Sequence, residues 1–281
     1  MAPTLIPKVP TLTPAEQRAV ARLIEAAVAR GDPPLLRALL FGSKARGDFD
    51  RDSDVDVLFV YDVPTRHRDA VAAASQLLAD RITEATGVAL ETWAVAMADL
   101  DEGCRTPMLV DALEDGLPLW PPGAPPLALP FTPADACFCA GRLLEWVEDG
   151  GPLREWALRR GHARLAARRA RDDITRIATA ALLLTGDTRH RRTGSLRRFH
   201  DRFVARGRIP PIVTGALRWA AAAYPRDRGR EAPPPTAFAV ATAPAGVRGA
   251  AVMEAEVVPW ILRRMREIDG AEARRGRSRF T

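Results

Sequence analysis

Leu39-Leu40-Phe41-Gly42-Ser43-Lys44-Ala45-Arg46-Gly47, followed by Ser53-Asp54-Val55-Asp56-Val57-Leu58-Phe59-Val60, is the stretch that decides the fold. It reads as a strand, a glycine-containing turn, a short connection and a second strand carrying two acids. Residues i and i+2 of a strand point to one face. Asp54 and Asp56 are therefore expected side by side, with Leu58 and Val60 continuing their face. Adjacent carboxylates repel one another unless a cation neutralises them. Hard oxygen ligands suit Mg²⁺, which binds through one or two carboxylates plus substrate phosphates. Gly42, the Ser43 hydroxyl and backbone N–H groups at a helix start would make a phosphate cradle. Acids for a metal beside such a cradle point to a nucleoside triphosphate. The Walker spacing Gly-x4-Gly-Lys-Ser/Thr is absent.

Upstream, Thr13-Pro14-Ala15-Glu16 reads as a helix start, with Thr13 as N-cap, Pro14 first in the helix and Glu16 closing a capping box. Val20, Leu23, Ile24, Ala27 and Val28 follow at helical spacing, and Gly31 ends the helix. Leu35 to Phe41 is an apolar run of strand length, and a short helix is expected from Lys44 to Gly47. Lys44 and Arg46 lie beside the turn, where they could meet phosphate oxygens, face solvent, or pair with Asp48, Asp50 or Asp52. Downstream, residues 65–86 predict a helix closed by Gly87, and residues 88–97 a strand. Glu91 is an acid within that apolar run; buried and unpaired it would be costly, whereas on an edge strand it would face solvent. Residues 99–120 predict helix and then a short strand after Asp115-Gly116.

The chain has 281 residues, enough for two domains. Its apolar content of 47% is that of a globular protein. No apolar run of membrane-spanning length occurs, and the proline-containing N-terminus has no signal-like apolar core. Cys104, Cys137 and Cys139 are an odd set with no completing metal ligands, which fits inert thiols in a reduced, cytoplasmic protein. Residues 1–120 carry 12 Lys and Arg against 19 Asp and Glu, a balance of −7; residues 121–281 carry 29 against 16, a balance of +13. The basic half could attract phosphates or nucleic acid. The simpler reading is solvated helix faces in an arginine-rich composition, so nucleic acid is not the preferred partner and no membrane partner is expected.

Pro121 to Pro126 reads as an extended linker. Helical periodicity then dominates, near 133–149, 153–185, 195–206, 211–224 and 245–269. Gly150-Gly151-Pro152, Gly186-Asp187, Gly207, Pro210-Pro211 and Pro233-Pro234-Pro235 mark the breaks. The expected organisation is residues 1–120 as one domain, 121–131 as a Pro-rich linker, 132–270 as a helical bundle and 271–281 as a frayed basic tail. Trp146, Trp156, Trp219 and Trp260 are expected in the helical core.

The Gly42-Ser43 to Gly47 turn and the Ser53-Asp54-x-Asp56 strand resemble the signature of the polymerase-β-like nucleotidyltransferases, above all the minimal and aminoglycoside branches. The resemblance covers roughly residues 35–120. It implies an α+β domain, a mixed sheet with flanking helices, that moves a nucleoside monophosphate to a hydroxyl and releases pyrophosphate. It implies Mg²⁺, with Mn²⁺ as a substitute, held by Asp54 and Asp56, and an NTP, ATP by family habit, at Gly42, Ser43, Lys44, Arg46 and Ser53. Glu91 matches the family's third acid, either general base or third metal ligand. The second half is similar to HEPN and related all-α helical domains, which often pair, so a homodimer through it stays open. The Arg-x4–6-His motif of HEPN ribonucleases is missing at His67, His162, His190 and His200. The expected acceptor is a small hydroxylated molecule such as an antibiotic-like sugar. The alternatives are a toxin–antitoxin-type enzyme modifying protein or RNA, and an inactive nucleotide-binding protein.

Overall fold

In a computed structural model, residues 6–49, 53–101, 103–125, 127, 129–188, 194–223 and 235–278 are described. The chain divides into two compact units, Met1–Phe131 and Thr132–Thr281. Asp50, Asp52, His190 and Pro233-Pro234 lie outside the described residues.

The first unit begins with helix α1 (Pro14–Arg30), and its local signals act as expected. The Glu16 N–H donates to Thr13 Oγ1 at 3.2 Å, the Thr13 N–H donates to Glu16 Oε2 at 2.7 Å, and Gly31 ends the helix in the left-handed conformation. Strand β1 (Leu35–Phe41) runs straight into α2 (Gly42–Arg46), which starts two residues earlier than the sequence suggested. Strand β2 is Val55–Tyr61, helix α3 Arg68–Thr86 and strand β3 Leu90–Ala96. Residues 99–120 hold less helix than expected. Thr106 caps a short α4 (Pro107–Glu114), and β4 (Leu117–Trp120) closes the sheet.

The sheet is mixed, in the order β3-β2-β1-β4, with β2 antiparallel to β1 and parallel to β3. Both faces of its centre are buried. Val55, Val57, Phe59 and Tyr61 pack with Leu40 against Val20, Leu23 and Ile24 of α1 and Ala79 of α3. Leu58 and Val60 pack with Leu39 against Leu109, Ala112 and Leu113 of α4. A strand covered on both sides loses simple alternation and reads as a continuous apolar run. Asp56 interrupts that run and is half-buried, on the same side of β2 as Leu58 and Val60.

The second unit is helical. α5 (Pro133–Arg159) runs through Gly150-Gly151-Pro152, which the sequence marked as a break. A proline inside a helix costs about 3 kcal/mol or more, and here tertiary contacts offset it. Beyond the proline, Arg154 donates from Nη1 to Asp173 Oδ2 of α6 (Ala163–Leu183) at 2.7 Å and to Glu254 Oε1 of α10 (Ala243–Ser278) at 2.8 Å. The actual turn comes at Gly161. α7 (Ser195–Phe199) continues into a π-helical turn (His200–Val204), and α8 (Thr214–Ala222) and α9 (Ala237–Ala241) complete the unit. The expected frayed tail is helical as far as Ser278, in keeping with alanine, glutamate and arginine as good helix formers. Trp219 is buried and Trp260 packs edge-on against Phe203, but Trp146 and Trp156 are 50% and 43% exposed, against expectation.

Candidate functional site

The acids meet at one end of the sheet. Phe41 of β1, Asp56 of β2 and Glu91 of β3 form one row across three strands, because Asp56 pairs in register with both neighbours. Asp56 shares its face with Leu58 and Val60, so the row lies on the side that α4 covers further along. Trp93, on the same face of β3, contacts Phe41 with ring centroids 6.2 Å apart. Asp54 sits just before β2 rather than on it, a correction to the strand reading.

Gly42 shows why this turn needs glycine. It has a φ of +73°, a region that L side chains rarely adopt, and a Cβ there would collide with Asp56 Oδ2. The Asp56 carboxylate thus rests against the backbone that opens α2. Ser43 follows in the first turn of that helix, whose start carries no side-chain cap, so its leading N–H groups are left for other acceptors.

Burial is the main cause that pushes the Asp56 carboxyl up to about 6; the charge of Glu91 adds to it and Arg46 opposes it. Glu91 itself is exposed, on edge strand β3. Of the two alternatives left open by the sequence this is the solvent-facing one, and the register sets Glu91 beside Asp56. Among the described residues no group of three or more His, Cys, Asp or Glu is close enough to hold a metal by itself. Two acidic residues, Asp54 and Asp56, fit in number a Mg²⁺ ion that substrate phosphates would complete, since such an ion takes one or two protein carboxylates. The strain on Asp56, a desolvated carboxylate beside a second acid, is of the kind a bound cation relieves.

The two basic residues of the turn have different surroundings. Arg46 is exposed, with Nη2 3.2 Å from Asp48 Oδ1. Lys44 is 3% exposed, with Nζ 2.8 Å from Glu16 Oε1 and 4.1 Å from the centre of the Phe49 ring. Lys44 therefore ties the turn to the capping box of α1, and its charge is already met. Glu16 is held below the usual carboxylate range despite its burial, by the Lys44 and Thr13 hydrogen bonds. Ser53 lies half-buried next to Asp54.

Sequence reasoning missed Asp111 on α4. Its carboxyl is raised by burial and by Asp115, while Arg46 lowers it. Arg46 thus acts electrostatically on Asp48, Asp56 and Asp111 together. No local signal marks Asp111, since an acid on an amphipathic helix is ordinary.

Residues 21–92 match the family model described as a nucleotidyltransferase domain. No curated protein and no solved structure matches the chain. The matched span opens within α1 and closes one residue after Glu91, so it holds Gly42, Ser43, Asp54, Asp56 and Glu91. The helical unit lies outside it. No helix among the described residues is long and apolar enough to cross a membrane.

Proposed function

We propose that the first unit is a Mg²⁺-dependent nucleotidyltransferase that moves a nucleoside monophosphate, AMP from ATP, to the hydroxyl of a small molecule such as an antibiotic-like sugar. The nucleotidyltransferase domain in residues 21–92 supports nucleotidyl transfer in general. The observation that carries the finer reading is the registered pair Asp56–Glu91, set against the glycine that opens α2.

Asp54 and Asp56 are the residues to hold the metal, with Mn²⁺ as a substitute. When bound it would supply positive charge to the triphosphate and to the oxygens that enter and leave. The chain's own contribution is position and charge. Gly42 and Ser43 present backbone N–H groups and a hydroxyl to the phosphates. Arg46, exposed at the end of α2, adds positive charge at the rim, and Ser53 sits beside Asp54. Glu91, exposed and in register with Asp56, is placed to accept the proton of an acceptor hydroxyl arriving from solvent. The hydroxyl oxygen then bonds to the α-phosphorus as the bond to the β-phosphate bridge breaks, and pyrophosphate leaves with that electron pair. Lys44 does not enter this account as a phosphate ligand, since Glu16 neutralises it.

The test is incubation with α-labelled ATP, MgCl₂ and a panel of hydroxylated small molecules, read by mass and label. Label on a small molecule supports the reading. Label only on protein or RNA replaces the acceptor, and no transfer from any NTP overturns the activity.

A further inference from the structure

A groove of about 390 Å³ lies between α5 and α6 of the helical unit, lined by Trp146, Asp149, Gly150, Leu153, Arg169 and Arg176. Its size falls in the range of small-molecule sites. We propose that it binds a small ring-bearing anion, with the ring against Trp146 and the phosphate or carboxylate between Arg169 and Arg176. This inference is independent of the transferase reading.

The groove is built from beneath. Asp173, 0% exposed, accepts from Arg154 at 2.7 Å and pairs with Arg176 at 3.3 Å. Arg154, 1% exposed, is balanced a second time by Glu254 at 2.8 Å. This buried network fixes Arg176 at the groove's edge, its guanidinium carbon 5.5 Å from the centre of the Trp146 ring. Arg176 uses Nη1 toward Asp173, which leaves further N–H donors of its fork for a ligand. Gly150 forms part of the wall, where a Cβ would press on Asp173 Oδ1 at 3.3 Å.

Arg169 stands two turns before Arg176 on α6, about 10 Å along the helix axis. Among the described residues, neither Arg169 nor Asp149 is engaged in an ion pair. Two arginines, one of them uncommitted, suit a planar carboxylate or a phosphate. Trp146, 50% exposed, offers a ring face already flanked by a cation. Asp149 adds one acceptor for a ligand N–H or O–H.

The experiment is isothermal titration of the full chain with phenyl phosphate, benzoate, inorganic phosphate and phenol. A ring-bearing anion is expected to bind saturably and at least about tenfold tighter than inorganic phosphate or phenol. Whichever of phenyl phosphate and benzoate binds tighter names the acidic group. Arg169→Gln and Trp146→Ala are each expected to weaken it about tenfold with the melting temperature unchanged, because neither side chain belongs to the Asp173 network. No saturable binding of either ring-bearing anion overturns the proposal, and so does equal affinity for inorganic phosphate. Binding that survives both variants, or that is lost in Asp56→Asn instead, overturns it as well.

Discussion

Two carboxyls, one in each unit, are pushed up to about 6 by burial, and their neighbours could hardly differ more. Asp56 has an acid beside it in Glu91, with Arg46 only opposing from the exposed side. Asp173 is enclosed by Arg154 and Arg176, which oppose the upward push of burial from within the fold. A buried acid next to another acid is a poor scaffold, because folding gains nothing from the repulsion. It makes sense as a place for a cation from outside. A buried acid bracketed by arginines is complete, and its work is to hold helices and side chains in place.

The contrast is sharpest in paired substitutions. Asp56→Asn should cost at least about 10³-fold in nucleotidyl transfer, on the scale of a lost metal clamp. Its melting temperature at pH 7.5 should hold or rise, since the amide removes a strained charge. A clear loss of stability would make Asp56 a scaffold after all. Arg154→Leu should do the reverse, destabilising the helical unit by about 3–5 kcal/mol, because it leaves Asp173 and Glu254 without their shared partner. Urea unfolding reads this directly, and a loss below about 1 kcal/mol would remove the network from any structural role. Gly42→Ala should lower transfer about 10²-fold by displacing the Asp56 carboxylate; wild-type rates would show that the close approach is not needed.

The smallest effect is in pH dependence. The folded-state value of Asp173 lies above its ordinary one, so the unfolded chain gives up this proton first as pH rises. Stability from the neutral form is full below about pH 4 and is lost as pH rises through about 6. Wild type should therefore lose stability across that window relative to Asp173→Asn, as thermal melts at matched pH would report. Parallel curves would mean that the arginines keep Asp173 ionised throughout.

Much of the first unit was legible because its signals are local. Thr13 with Glu16 and Gly31 bound α1 through hydrogen bonds among near neighbours. The apolar run 35–41 and the acid-bearing run ending at Val60 mark the two central strands, and Gly87 closes α3. The candidate residues were legible as a set for the same reason, since Gly42, Ser43, Asp54 and Asp56 lie close together in the chain. Their surroundings were not. The Lys44 pair with Glu16 joins residues from two elements, and Asp111 comes under the charge of Arg46 only because α4 folds over the sheet. Pro152 read as a break because propensity is a local quantity, while the Arg154 network holding α5 together is not.

The sequence by itself determined the strand–turn–strand motif, the acids it carries and the helical character of the second half, because periodicity, caps and turn residues act over a few positions. Tertiary structure alone decided that Glu91 stands exposed in register with Asp56, that Gly42 lies against that carboxylate, and that Trp146 opens onto a groove instead of filling a core. Strand pairing and helix packing set which distant residues become neighbours, and burial and charge at each site follow from those neighbours.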